Sequence, residues 1–175
     1  MFRKNFRNLI RPVLSLFVLC LVMGCATVAR AEDAPSTSEH GAKIKEAMAE
    51  IKSEAAKLGE PKIDGNALLF GTTKIDADYT IVDALKSKYG CTATFFVKKD
   101  DGFIRISTNV IKDGNRAVGT PLDPNGPAIA AIKKGEAFYG IVDILGSKYD
   151  TGYEPVKNAA GEIIGVYYIG YPLSK

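Results

Sequence analysis

The last third of the chain contains three strand-like runs with short connections, and this feature restricts the fold more than any other. The runs cover residues 137–145, 153–158 and 162–171, and the sequence NAAG turns the chain between the last two. A parallel crossover needs a dozen or more residues, so connections this short predict antiparallel pairing. The final third therefore predicts an antiparallel sheet.

Two more strands are predicted before this region. Residues 92–98 and 103–110 flank the sequence DDG, which is typical of a hairpin turn. Alternation in the second strand places Phe103, Arg105 and Ser107 on one face and the isoleucines between them on the other. The predicted sheet then has five antiparallel strands, and residues 67–70 predict a further short strand.

Helical patterns accompany these strands. A stripe of apolar residues spaced 4, 3, 4, 3 predicts a long amphipathic helix from Ala42 to the stop at Gly59, and it consists of Ile44, Met48, Ile51, Ala55 and Leu58. Shorter helices are predicted over residues 78–88, with Asp78 as N-cap, and 127–134. One antiparallel sheet with helices packed on it is an α+β layer fold.

The apolar stripe of the long helix has two interpretations. It packs on the chain's own sheet, or it is shared with a second copy, because the same spacing forms a coiled-coil seam. The run holds barely two heptads, which favours packing on the chain's own sheet.

The first residues predict export. Four basic and no acidic residues precede an apolar run over residues 13–23, a pattern typical of a secretory signal and too short for a stable membrane span. The sequence Ala29-Arg30-Ala31 predicts cleavage before Glu32. A lipobox-like VMGC would instead make Cys25 a lipidated N-terminus. We favour cleavage, so residues 1–31 are predicted to be a signal peptide and the product periplasmic.

The predicted mature chain has little net charge. Residues 1–31 contain five of the 23 basic residues and none of the 20 acidic ones, which leaves 18 basic residues. Nucleic-acid binding is not indicated, because it requires a basic face. Residues 32–41 are rich in Ser, Pro and acidic residues and predict a flexible tether. Residues 42–175 are expected to form one domain, with no membrane span or output module after it.

Enzymatic chemistry is not indicated. The single histidine, His40, falls in the predicted tether, so no Ser-His-Asp or Cys-His arrangement is available. No glycine-rich phosphate loop is present, and the paired aspartates are better explained as helix starts or turns. Cys91 opens a strand, which predicts a buried structural thiol. No cofactor and no metal ion are predicted.

Six motifs follow one another in the chain, namely TFFV at 94–97, FIRISTNV at 103–110, RAVGTPL at 116–122, GEAFYG at 135–140, GSKYDTGYEP at 146–155 and GEIIGVYYIG at 161–170. In this order they resemble the Cache family of extracytoplasmic sensor domains, in particular the single-Cache type described as a Cache 3/Cache 2 fusion. The resemblance covers about residues 66–172, and the long helix takes the place of the family's N-terminal helix. It implies a PAS-like five-stranded sheet that holds a pocket for a short carboxylate or an amino acid.

A pocket for a small anion needs a fixed cation and a few hydroxyl groups in an apolar wall. Arg105 is the first candidate, because the resemblance favours a pocket position over an equally reasonable solvent-facing one. Thr120 is a further candidate hydroxyl donor. The predicted ligand-binding set is Arg105, Thr108, Arg116, Tyr139, Lys148, Tyr149 and Tyr153.

Two functions follow as hypotheses. Cache domains usually sit in chemoreceptors of chemotaxis or in sensor kinases, between membrane helices. The first hypothesis is therefore a free-standing ligand-binding sensor that reports to a separate membrane receptor or sensor kinase. The second is an interaction protein that forms a homodimer, or docks a membrane partner, through the helix stripe and binds no small molecule.

Overall fold

Helices and strands alternate along residues 38–173, the part of the chain that the computed structural model describes. The helices are α1 (Gly41–Leu58), α2 (Thr80–Tyr89) and α3 (Pro127–Lys133). The strands are β1 (Pro61–Asp64), β2 (Ala67–Phe70), β3 (Thr73–Lys74), β4 (Thr92–Lys99), β5 (Gly102–Thr108), β6 (Ile111–Lys112), β7 (Asn115–Arg116), β8 (Phe138–Ile144), β9 (Ser147–Lys157) and β10 (Ile163–Pro172). The predicted signal peptide, Cys25 and residues 32–37 of the predicted tether lie outside this part.

The main sheet has the order β5-β4-β10-β9-β8, and every neighbouring pair is antiparallel. The five-stranded antiparallel sheet and the α+β class are therefore confirmed. The strand predicted at residues 153–158 was too short, because β9 begins at Ser147. Leu145 and Gly146 alone connect it to β8, and both have a positive φ. Strands β1, β3, β6 and β7 were not predicted.

A bulge interrupts the alternation predicted for β5. Consecutive residues Phe95 and Phe96 of β4 lie opposite Ser107 and Arg105, so Ile106 is the extra residue. Arg105 faces the side of the sheet that carries α3. Ser107 instead turns to the side of α2, where its hydroxyl donates to a backbone carbonyl, so the prediction that it shares a face with Arg105 was wrong.

The two faces of the sheet bury separate apolar cores. The face under α1 and α2 contains Phe95 and Tyr167, and the face under α3 contains Phe96, Tyr153 and Tyr168. The stripe of α1 is buried in the first core, with Ile44, Met48, Ile51 and Ala55 at most 1% exposed. The prediction that this stripe packs on the chain's own sheet is confirmed.

The starts of α1 and α2 are held by carboxylates. Asp150 of β9 accepts a hydrogen bond from the backbone N–H of His40 at 3.1 Å, and the ring of His40 stacks on Tyr171 with centroids 4.7 Å apart. In α2 the predicted N-cap was one residue too early, because Tyr79 occupies that position. The Oδ1 atom of Asp78 accepts a hydrogen bond from the backbone N–H of Thr80, and this hydrogen bond lowers the pKa of Asp78.

The outer edge of β5 is covered by the segment 117–122, called here the edge segment. The backbone N–H of Arg105 donates to the carbonyl of Thr120 at 3.0 Å, and the N–H of Gly119 donates to the carbonyl of Arg105 at 2.8 Å. The backbone N–H of Leu122 donates to the carbonyl of Phe103 at 2.8 Å. The edge segment therefore fixes the backbone of β5 at Phe103 and at Arg105.

Candidate functional site

A cavity of about 320 Å³ lies on the α3 side of the sheet. Its walls come from β5, from residues 121–128, and from the β8–β9 hairpin. Arg105 and Tyr153 are its buried polar residues, and the exposed residues Asp123, Asp143, Leu145 and Lys148 form what we call its mouth. The remaining wall is largely apolar. The volume lies within the range of small-molecule sites.

Arg105 is a buried cation that has no counter-charge within the described part of the chain. Arg105 is only 4% exposed, and no carboxylate of residues 38–173 lies within ion-pair distance of its guanidinium. Its guanidinium carbon lies 5.0 Å from the ring centroid of Phe96, and its Nε has no hydrogen-bond partner in the described part. Burial lowers the pKa of Arg105. An anion in the cavity would restore the interactions that this cation lost on leaving water.

Thr120 orients the guanidinium. The Nη1 atom of Arg105 donates to the Thr120 hydroxyl at 2.7 Å, and that hydroxyl donates to the carbonyl of Ala117 at the same distance. Because Thr120 belongs to the edge segment, the backbone that covers β5 also sets the direction of the guanidinium. The Nε atom is buried and has no hydrogen-bond partner among residues 38–173.

Tyr153 is the second buried polar residue of the cavity. It is 2% exposed, its ring lies 5.0 Å from that of Tyr168, and its hydroxyl has no hydrogen-bond partner among the described residues. Burial raises the pKa of Tyr153, while the positive charge of Arg105 acts in the opposite direction. Tyr153 therefore stays a neutral hydroxyl near the cation, able to donate a hydrogen bond to an anion.

The mouth carries both signs of charge. Asp123 accepts from the backbone N–H of Asn125, and Asp143 accepts from that of Gly146, so each carboxylate is fixed in its own turn. Asp143 and Lys148 are directly paired across β8 and β9 and partly offset each other. In the part of the chain described here, no group of His, Cys, Asp or Glu side chains is arranged to hold a metal ion.

Three residues of the predicted ligand-binding set line this cavity, namely Arg105, Lys148 and Tyr153. The other four do not. Tyr149 packs against the core under α3 without lining the cavity. Thr108 hydrogen-bonds the hydroxyl of Thr94 at 2.6 Å, within the sheet.

Arg116 and Tyr139 belong to the opposite side of the sheet. Arg116 makes two hydrogen bonds of 2.9 and 2.8 Å to Asp83 of α2 and lies over the ring of Tyr79. Tyr139 donates its hydroxyl hydrogen to Glu154, which also binds a lysine of α1. Both residues therefore serve contacts between the helices and the rest of the fold.

Sequence reasoning missed Asp123 and Asp143. The sequence DPNG at residues 123–126 directly precedes the helix predicted over residues 127–134, and nothing in β8 marked Asp143. An aspartate two residues before an asparagine does indicate a turn of this kind, but no sequence signal places that turn beside a cavity.

Comparison with known families agrees with this architecture. Residues 33–175 match the model of the Cache 3/Cache 2 fusion domain. The chain belongs to this family. It is thus a Cache domain, and domains of this family are sensor domains that are generally extracytoplasmic and typically bind small molecules. No significant match to a curated protein is found. Within residues 38–173, no helix is both long and apolar enough to cross a membrane.

Proposed function

We propose that this Cache domain is a periplasmic sensor that binds a small carboxylate in the cavity beside Arg105 and reports to a separate membrane receptor or sensor kinase. The observation that carries the proposal is the buried guanidinium with a free Nε and no carboxylate partner in the described residues. Arginine is suited to this role because its planar fork matches the two oxygens of a carboxylate.

The surroundings of Arg105 support an anion as the occupant. Thr120 holds the guanidinium in one direction, and the Tyr153 hydroxyl is free among the described residues to donate a second hydrogen bond. A site built to hydrogen-bond a carboxylate rejects neutral analogues, because they leave its buried polar groups unpaired. We therefore propose a carboxylate, which includes the carboxylate of an amino acid.

The state of α1 argues against the interaction hypothesis. The apolar stripe that would hold a second copy or a membrane partner is already buried against β9, β10 and α2. Using this stripe for a partner would require the removal of α1 from its own core. We therefore propose that a partner recognises another surface.

The test is a thermal-shift screen of the purified protein with acetate, pyruvate, butanoate and glycine. A ligand that binds only the folded state raises the melting temperature at saturating concentration. We expect a rise with at least one carboxylate, and its loss in Arg105→Met. The matched control is Arg116→Met, because Arg116 lies outside the cavity. A rise retained in Arg105→Met would contradict the proposed site.

A further inference from the structure

The wall of the cavity is mainly apolar beyond its cationic residue. Eight lining residues have apolar side chains and come from both sides of the cavity, namely Pro121, Leu122, Pro127, Ala128, Ile141, Val142, Ile144 and Leu145. Leu122, Ala128 and Ile144 are buried, each at most 5% exposed. Leu145, at the mouth, is 42% exposed. The apolar surface thus extends from the buried interior, where Arg105 lies, to solvent.

The cavity is also large for a two-carbon acid. Its 320 Å³ correspond to about ten water molecules, because one water occupies about 30 Å³ of the liquid. Acetate would use only the region of the guanidinium and would leave the apolar wall in contact with water. A longer apolar chain would cover that wall and gain hydrophobic stabilisation.

The charges at the mouth limit a second anionic group. Two carboxylates, Asp123 and Asp143, and one cation, Lys148, line the mouth, so its net charge is negative. A carboxylate at the far end of a ligand would approach this negative charge. The mouth therefore disfavours dicarboxylates.

We propose that the ligand is a monocarboxylate with an apolar tail of several carbons, and that Leu145 sets the tail preference. The carboxylate binds Arg105, and the tail extends along Val142 to Leu145. This inference rests on the proposed function, because it assumes that Arg105 binds the carboxylate group. It adds the shape of the ligand and a residue that selects it.

The test is calorimetric titration of the purified protein with acetate, butanoate, hexanoate and pentanedioate. Each methylene group that is buried should raise the affinity about twofold to fourfold, the upper value corresponding to complete burial. Pentanedioate should bind at least about tenfold more weakly than hexanoate, because Asp123 repels its second carboxylate.

The variant is Leu145→Asn. Residue 145 has a φ of 53°, a conformation that asparagine adopts more readily than leucine, so the turn is retained. In this variant the affinity for acetate should stay within about twofold of wild type. The increase in affinity with each added methylene group should be smaller than in wild type. The control is Ile111→Asn, which removes an exposed apolar side chain away from the cavity and should leave the series unchanged.

The outcomes separate the two proposals. Binding of acetate and hexanoate with equal affinity would overturn the tail inference and leave the proposed function intact. An unchanged gain per methylene in Leu145→Asn would overturn the role of Leu145. Equal binding of pentanedioate and hexanoate would overturn the restriction to monocarboxylates. Absence of binding by every acid would overturn the proposed function itself.

Discussion

Arg105 donates a hydrogen bond of 2.7 Å to the hydroxyl of Thr120, and this contact joins the middle of β5 to the edge segment. The same two residues are also linked through their backbones, where the N–H of Arg105 donates to the carbonyl of Thr120. The position of the guanidinium thus depends on a segment that lies 15 residues further along the chain.

The first prediction concerns Thr120. Thr120→Val keeps the shape of the side chain but removes the acceptor, which leaves a buried charged donor unpaired. We expect the free energy of unfolding of the ligand-free protein to fall by about 1–3 kcal/mol, as measured by urea denaturation. Thr120→Ser retains the hydroxyl and should lose less than half as much. A loss in Thr120→Ser as large as that in Thr120→Val would contradict this prediction, because Thr120→Ser keeps the hydroxyl that accepts the hydrogen bond.

The second prediction concerns the stability of the site itself. Arg105→Met replaces a buried cation with an apolar side chain of similar length. We expect the ligand-free variant to be as stable as wild type or more stable, by up to about 4 kcal/mol, since replacing buried charges by apolar groups is often stabilising. The measurement is urea denaturation without added carboxylate. A marked loss of stability would mean that Arg105 supports the fold rather than a ligand.

The third prediction concerns Cys91. It is 1% exposed, and burial raises the pKa of its thiol to about 11, above the unfolded value of about 8.5. Its contribution to stability is therefore complete below about pH 8.5 and is lost as the pH rises towards 11. Between pH 8 and 9.5 the free energy of unfolding should fall by about 1 kcal/mol more in wild type than in Cys91→Ala. Parallel pH profiles would contradict this assignment.

The fourth prediction concerns the contact between the β8–β9 hairpin and α1. A Cβ atom on Gly152 would lie 2.7 Å from the Tyr139 ring and 2.8 Å from Ile44. We expect Gly152→Ala to lower the free energy of unfolding by about 1–3 kcal/mol, as overpacking does in other cores. Gly102→Ala is the control, because its nearest neighbour would be 3.9 Å away. The two variants are compared by thermal denaturation, and a neutral Gly152→Ala would show that α1 shifts easily.

The order of the helices and most strands could be predicted from the sequence, because periodicity reports which face of an element is buried. The apolar stripe of α1 and the short connections between the late strands were sufficient for the α+β sheet. The bulge at Ile106 was not predictable, since residues 103–110 alternate without interruption in the sequence. It arises from pairing with β4, which local patterns do not record.

The placement of the site residues depended on partners far away in the chain. Arg116 stands four residues before Thr120, yet its side chain turns away from the cavity because Asp83 and Tyr79 hold it. Tyr139 and Tyr153 both occur in motifs that the resemblance marked, but they lie on opposite faces of the sheet. Sequence motifs indicated the region of the site, and tertiary contacts decide which side chains enter the cavity.

The most direct test of the central claim is an NMR spectrum of the arginine side chains during titration with butanoate. The Nε–H signal of Arg105, assigned by its absence in Arg105→Met, should shift with ligand concentration and saturate. The signal of Arg116, which is paired with Asp83, should stay in place. A saturable rise in melting temperature with no change in the Arg105 signal would contradict the account, because the anion would then bind elsewhere.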